Sequence, residues 1–469
     1  MSHSFGDYSP SQVLDIRGPR GALSVGRARE LAEPVLSGGR TDVERLILST
    51  WALSAESADV FAAVIGALPS LRSAVLADIV AGRPEAEGLA VYRCLAAALL
   101  SRSLEELDLS DNAVGTKGVE VFRDLLSSQS TLQRLFFCNC GISAEAARSI
   151  ADAVLARGAD APTALRVVHF DNNMSGGGGA AAVADIVSAS PALQDFRFTS
   201  SRGTADGGVA LARALGRCTS LTRINVRDNI FAAPFAVALG ASVGALSSLA
   251  HLDVGDTLVR DAGAAALAAG LSRAHALRFL DISENELTVR GAKSLALILA
   301  RLPGLETVLA GGNEFGEVGA GHIALAARAA PNLVTLALCS CELGARGALA
   351  IARAVAGAPR LAELDLNGNG MGARTRDLTM TALTTAGRSV GVLKTGDDDD
   401  DEDEDDYDDD LDDLYNVVTS AAFVAKIIGE ADAREAAVAA SSTTAPAPVS
   451  TVDADVLNSL TAALAATTV

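Results

Sequence analysis

Aromatic residues make up only 4% of this 469-residue chain, and it holds a single tryptophan. The Ala, Leu and Gly that dominate the composition are enough for a long, thin core built of small residues. Cations are scarce too: 38 Lys and Arg stand against 58 Asp and Glu, for a formal net charge of -20. Such a chain is a poor ligand for phosphate backbones, which argues against nucleic-acid binding. It also lacks the basic amphipathic helix that favours anionic membranes. Fifteen of the acids lie in one run at 397–413, leaving a net charge of about -5 for the rest. No uncharged apolar run reaches the ~18 residues of a membrane-spanning helix, so none is expected. The opening MSHSFGDYSPSQ has no basic region followed by an apolar stretch, so no secretory signal is expected. Six cysteines in a chain this long do not suggest a disulfide framework. A reducing compartment follows, in which the sequon Asn173-Met174-Ser175 stays unmodified.

Catalytic motifs are also missing. None of the five histidines, His3, His169, His251, His275 and His322, has an i, i+4 partner, so there is no zinc-protease helix. There is no GxSxG elbow and no GxxxxGK[ST] loop; SGGGGAAAV (175–183) is Gly-rich but has no lysine, and reads as a strand-to-helix turn. Two CxC pairs occur, Cys138/Cys140 and Cys339/Cys341. They lie seven repeats apart, roughly 33 Å at the ~4.8 Å spacing of strands, and cannot share one metal ion. No metal and no cofactor of its own is expected.

What the chain does have is periodicity. LEELDLSDNAV starts at Leu104, LQRLFFCNCGI at Leu132 and LRVVHFDNNMS at Leu165. Further units start at Leu193, Leu221, Leu249, Leu277, Leu305, Leu333 and Leu361, each step from Leu165 onward being 28 residues. Two degenerate units start at Val43 and Leu71. The shared pattern, LxxLxLxx(N/C/T)x(L/V/F/M), is the leucine-rich-repeat signature. Positions 4 and 6 alternate as in a strand and face inward. The Asn or Cys at position 9 sits where the chain turns and can bond freed backbone groups. In the following stretch, Val119, Phe122, Leu125 and Leu126 fall on one helix face. A 28-residue unit holds a strand and a full helix, so the expected fold is α/β: a leucine-rich-repeat solenoid of the ribonuclease-inhibitor-like horseshoe type. Parallel strands line the concave face and helices the convex face. The expected organisation is an N-terminal cap (1–40), about 12 repeats (41–390), an acidic disordered run (391–415) and an Ala-rich tail with one helix (416–469).

Two steps are 33 residues instead of 28. In the unit at Leu71 the surplus falls in DIVAGRPEAE (78–87), just after the strand. Gly82 permits an unusual turn and Pro84 fixes φ, so Arg83 is expected to be held out on a shaped loop. In the unit at Leu132 the surplus falls after the helix, in LARGADAPTA (155–164), and reads as a spacer. Position 5 of successive units points to the concave face: Asp108, Phe136, His169, Arg197, Asn225, Asp253, Asp281, Leu309, Ala337 and Asp365. Positions 7 and 8 add Asp111, Asn139, Asp171, Asn172, Arg227, Asp228 and Glu284, a mixed, mainly acidic groove suited to a protein partner with basic patches.

VAGRPEAEGL (80–89), LDLSDNAVGTKGVEVFRDLL (107–126), VVHFDNNMSG (167–176) and DNIF (228–231), with the acidic run behind the repeats, resemble the plant-type Ran GTPase-activating proteins over roughly residues 10–413. The resemblance implies a protein that binds the small GTPase Ran in its GTP form and speeds hydrolysis, in support of nucleocytoplasmic transport. Such an activator inserts no arginine finger; it orients the GTPase's own catalytic glutamine, and GTP and Mg2+ belong to the partner. The assisting asparagine of the family falls on Asn139, and the loop arginine on Arg83, needed through contact with Ran. The expected footprint adds Asp111, Asn112, Asp171, Asn172, Asn173, Arg227 and Asp228. A Ran-binding protein is a further expected partner, the chain is expected to be monomeric, and its place is the cytoplasm, including the perinuclear region. Two departures stand out: Cys140 follows Asn139 where relatives carry Asn or Asp, and the only tryptophan, Trp51, lies in the first repeat, with no Trp-Pro-Pro envelope-targeting motif. Two other readings stay open: a binding scaffold without activating role, and an inhibitor of a basic enzyme working through the concave acids.

Overall fold

The computed structural model describes residues 8–395, apart from 157, 159, 160, 329, 390 and 391. The acidic run at 397–413 and the tail helix expected after it lie outside the described residues. Within them, short strands and helices alternate; fourteen strands form one sheet whose spatial order is the chain order, and strands Gly21–Ala22 and Trp51–Ala52 pair in a second, two-stranded sheet. Every pairing in the larger sheet is parallel, and the register never slips. Arg45, Ser73, Glu106, Arg134, Val167, Asp195 and Arg223 follow one another as Cα partners, and so on to Glu363. Equivalent positions of successive repeats therefore form rows across the sheet. This is the expected α/β leucine-rich-repeat solenoid. Strands stack at ~4.8 Å while packed helices need ~8–10 Å, so the helix side is the longer arc and the strand face is concave.

The repeat consensus explains the core. Leu107 and Leu109, at positions 4 and 6, are fully buried. Helix Gly115–Ser128 turns Val119, Phe122, Leu125 and Leu126 onto them, the face read from the sequence. Each such side chain contributes roughly 1.5–3 kcal/mol by leaving water. Position 8 takes a left-handed backbone in unit after unit: Asp78, Asp111, Asn139, Asn172, Asp228 and Glu284 all have φ between 52 and 58°, and Gly312 and Gly368 serve elsewhere. Asn, Asp and Gly tolerate this region best, and Ser200, Glu284 and Ser340 adopt it where the repeat requires it. The turn aims each position-8 N–H at the next unit's position-7 carbonyl, as in Asn139 N to Asp171 O at 2.8 Å.

The sheet runs past both boundaries drawn from the repeat pattern. Strand Val13–Asp15 pairs with Arg45–Ile47, so residues assigned to a cap already supply the first strand. Strand Leu393–Lys394 pairs with Glu363–Asp365, beyond the expected end at 390. Both end strands keep the inward leucine of position 4, Leu14 in register with Leu46 and Leu393 with Leu364, and both leucines are buried. Trp51 ties the first strand down: its indole donates to the Ile16 carbonyl at 2.7 Å.

Candidate functional site

At the C-terminal ends of the strands, the position-8 side chains stand in a row along one edge of the sheet. Between strands Glu106–Asp108 and Val167–His169 this row is joined by hydrogen bonds. Asn139 Nδ2 donates to Asp111 Oδ1 at 3.0 Å, and Asn172 Nδ2 donates to Asn139 Oδ1 at 3.1 Å. All three side chains are exposed. The left-handed turns hold their backbones and the neighbours hold the Asn139 carboxamide. A carboxamide has two N–H donors and two acceptor lone pairs; one of each is used along the edge, leaving one of each for a partner.

Asn112 and Asn173, one position further on, are a different matter. They are 2% and 3% exposed. Asn173 Oδ1 accepts from the Cys140 and Ile142 N–H groups, and its Nδ2 donates to the Phe137 carbonyl. Asn112 likewise accepts from Ile79 N–H and donates to the Leu76 and Leu109 carbonyls. Their amides satisfy the backbone between units, so neither can meet a partner; this corrects the expected footprint. The Cys140 departure leaves the loop unchanged. Its thiol donates to the Leu109 carbonyl at 3.1 Å in place of an amide, and Asn139 keeps the same left-handed turn, φ 53°, as Asp111 and Asn172.

Arg83 is not held out. Its side chain is 21% exposed and folds back on the preceding unit, where Nη2 donates to the Ala52 carbonyl at 2.7 Å and Nη1 meets Glu87 at 3.3 Å. The left-handed Gly82 (φ 71°) turns the chain inward, and Pro84 caps helix Glu85–Leu99. The arginine thus ties the enlarged loop to its neighbour. The exposed cation at the loop's base is Arg20, which pairs with Asp78 at 2.6 Å. It sits 58 residues upstream, and no local pattern could have pointed to it.

Arg227 is also committed within the chain. It reaches across Gly255 to Asp281, Ser283 and Glu284, at 2.8, 2.9 and 2.8 Å. A Cβ at Gly255 would lie 2.2 Å from its Nη1, so the glycine opens the way. Asp228 is exposed at position 8. Two position-10 side chains on this edge, Met174 and Ile230, are 64% and 55% exposed, apolar contacts that sequence reasoning passed over.

The strand face carries a charge pattern that position 5 alone does not show, because position 3 contributes as well. Arg45 and Arg134 clamp Glu106, and Ser73 Oγ donates to the same carboxylate. His169 Nε2 lies 3.2 Å from Asp195 Oδ1, with Arg197 at 3.4 Å. Burial works to raise Asp195, but the His169 hydrogen bond and the surrounding cations overrule it and hold the carboxyl at about 2. Cys138 and Asp171, at position 7, complete a cluster with His169: one ligand atom of each lies within 4.8 Å of the others. Burial first, then the Asp171 charge, pushes the Cys138 thiol up to about 12. The cluster was missed because its members come from two units and are joined only by register; the sequence shows Cys138 and His169 as 31 residues apart.

A family model described as Leucine Rich repeat matches residues 100–122 and 274–296. Among curated proteins, the chain is 37% identical over 120 residues to RAN GTPase-activating protein 1 of Arabidopsis thaliana. The match covers 25% of this chain and 22% of the relative. RAN GTPase-activating protein 2 of the same plant is 36% identical over 121 residues, 26% of this chain and 22% of the relative. The Ran GTPase-activating protein of Drosophila melanogaster is 32% identical over 143 residues, 29% of this chain and 24% of the relative. The chain thus resembles these activators from plants and animals, its matches spanning about a quarter of their length or less. A solved complex of Rad7 and Elc1 from yeast matches with a TM-score of 0.43 and 13% identity, over 77% of this chain and 81% of that one. Among the described residues no helix is long and apolar enough to cross a membrane.

Proposed function

We propose that this chain is a GTPase activator for the small GTPase Ran, acting in the cytoplasm in support of nucleocytoplasmic transport. The observation that carries the reading is the Asp111–Asn139–Asn172 row. It is an exposed carboxamide, oriented from both sides, on a chain similar to Ran GTPase-activating proteins. The reading assigns the chemistry to the partner: Ran brings GTP, Mg2+ and the catalytic glutamine. Asn139 offers a hydrogen bond to that glutamine, so that it aligns the attacking water. An oriented donor acting only in the transition state is worth roughly 10²–10³ in rate.

Two features support activation without an arginine finger. Arg83 is spent on the Ala52 carbonyl and Glu87, and the Asn139 edge is bordered by the acids Asp111 and Asp171. Arg83 then acts by holding the loop that meets Ran, and the exposed Asp228, Met174 and Ile230 extend the contact along the edge. The test is single-turnover GTP hydrolysis by Ran, with and without the chain. Acceleration that saturates with chain concentration supports the reading. Binding without acceleration would make the solenoid a scaffold, and inhibition of a basic enzyme in place of either would favour the acidic-groove reading.

A further inference from the structure

We propose that Cys138, His169 and Asp171 form a site for a single divalent ion of the zinc class, next to the Asn139 edge. The site does not depend on the reading of the chain as an activator. Parallel register carries it: Cys138 and Asp171 occupy the same position of neighbouring units, and His169 points from the same face two residues before Asp171. Their ligand atoms lie within 4.8 Å of one another, and Cys138 Sγ is already 3.8 Å from Asp171 Oδ2. A tetrahedral zinc ion with bonds of ~2.0–2.3 Å holds its ligand atoms about 3.3–3.6 Å apart, so only small side-chain adjustments are needed. A mixed sulfur, nitrogen and oxygen set suits zinc over magnesium or calcium, which take oxygen ligands. The His169–Asp195 contact adds the carboxylate that commonly orients a ligating imidazole. Three protein ligands leave a fourth position for water or for a group of a bound partner.

The CxC motif places only one thiol here. Cys140 turns into the core and donates to the Leu109 carbonyl, while Cys138 stays on the strand face. A metal would also act on the edge beside it. The Cys138 and Asp171 carbonyls accept from the Asp111 and Asn139 N–H groups, the bonds that set the two left-handed turns. The equivalent cysteine, Cys339, is flanked by Asp365 and Asn367 where Cys138 has His169 and Asp171, and it serves as an internal control.

The decisive experiment titrates Co2+ alone into the untagged, metal-free full chain and follows thiolate-to-cobalt charge-transfer absorption. One ion per chain is expected, displaced by Zn2+, with the band lost in Cys138→Ser and kept in Cys339→Ser. Asp195→Asn, which leaves all three ligands in place, is expected to weaken binding by about 10–100-fold. A thermal melt verifies folding of each variant, and Asp171→Asn takes the place of Cys138→Ser should the latter not fold, with at least tenfold weaker binding expected. A folded chain with no thiolate band in excess cobalt would overturn the site, as would a band that survives Cys138→Ser or an affinity untouched by Asp171→Asn.

Discussion

The units that start at Leu132 and Leu333 share a backbone and differ in what they present. Both carry a CxC motif. In both, the second cysteine is buried and donates to the position-6 carbonyl of the preceding unit, Leu109 or Ala310. In both, the next unit's asparagine, Asn173 or Asn369, accepts from two backbone N–H groups of the loop. Between the cysteines the backbone is left-handed, at Asn139 (φ 53°) and at Ser340 (φ 52°). There the likeness ends. Asn139 stands between Asp111 and Asn172 and bonds to both, whereas Ser340 stands between Gly312 and Gly368. The repeat supplies a turn of fixed shape, and the two units differ in the few side chains that the turn exposes.

The comparison breaks if the shared part is not shared in energy. Asn173→Ala and Asn369→Ala each strip the acceptor from two buried N–H groups, which costs about 2–6 kcal/mol at ~1–3 kcal/mol per orphaned group. The two variants should lose similar stability in chemical denaturation, and a loss confined to one would show that the template differs between the units. Arg83→Ala removes a charged hydrogen bond to Ala52 and should ease local opening of the 80–84 loop by about 1.5–3 kcal/mol. Amide hydrogen exchange would read this as faster exchange confined to the loop and the end of strand Trp51–Ala52. Converting the far edge with Gly312→Asp, Ser340→Asn and Gly368→Asn should cost about 1–3 kcal/mol at each glycine, from the positive φ and from the new Cβ atoms, which would lie 2.8 Å from Glu284 Cγ and 2.6 Å from Ser340 Oγ. That chain should fold and hydrolysis by Ran should be no faster than with the unaltered chain, because the Arg83 loop is not beside the new row.

A pH-dependent effect lies between the two units. Burial, then the Asp281 charge, raises the Asp253 carboxyl to about 6 from an ordinary 3.8. The folded chain therefore holds this proton more tightly than the unfolded one, and stability falls as pH rises through that window. Asp253→Asn should raise the melting temperature at neutral pH and leave it nearly unchanged below the ordinary carboxylate range. An equal gain at both pH values would assign the effect to packing.

Much of this was legible. Inward Leu107 and Leu109, the Val119–Phe122–Leu126 helix face and the turn at position 9 follow from periods of two, 3.6 and 28, all local or repeated. What stayed hidden depends on which way a side chain leaves a turn or on what a neighbouring unit places beside it. The repeat pattern already gave position 9, where Asn112 and Asn173 sit, a backbone-bonding role; it was the footprint implied by the resemblance that placed them at the surface, and the single step from Asp111 and Asn172 turns the side chain from the edge into the core. Arg83 looks like a projecting cation because its acceptor, the Ala52 carbonyl, lies 31 residues back. His169 meets Cys138 only through parallel register across a 33-residue unit.

If the chain activates Ran as proposed, activation belongs to the Asn139 edge and not to the repeat. The direct measurement is the single-turnover rate of GTP hydrolysis by Ran with saturating Asn139→Ala beside saturating Ser340→Ala. The expected maximal rate is roughly 10²–10³-fold lower for Asn139→Ala, with Ran binding little changed, and normal for Ser340→Ala. Full acceleration by a folded Asn139→Ala chain would contradict it.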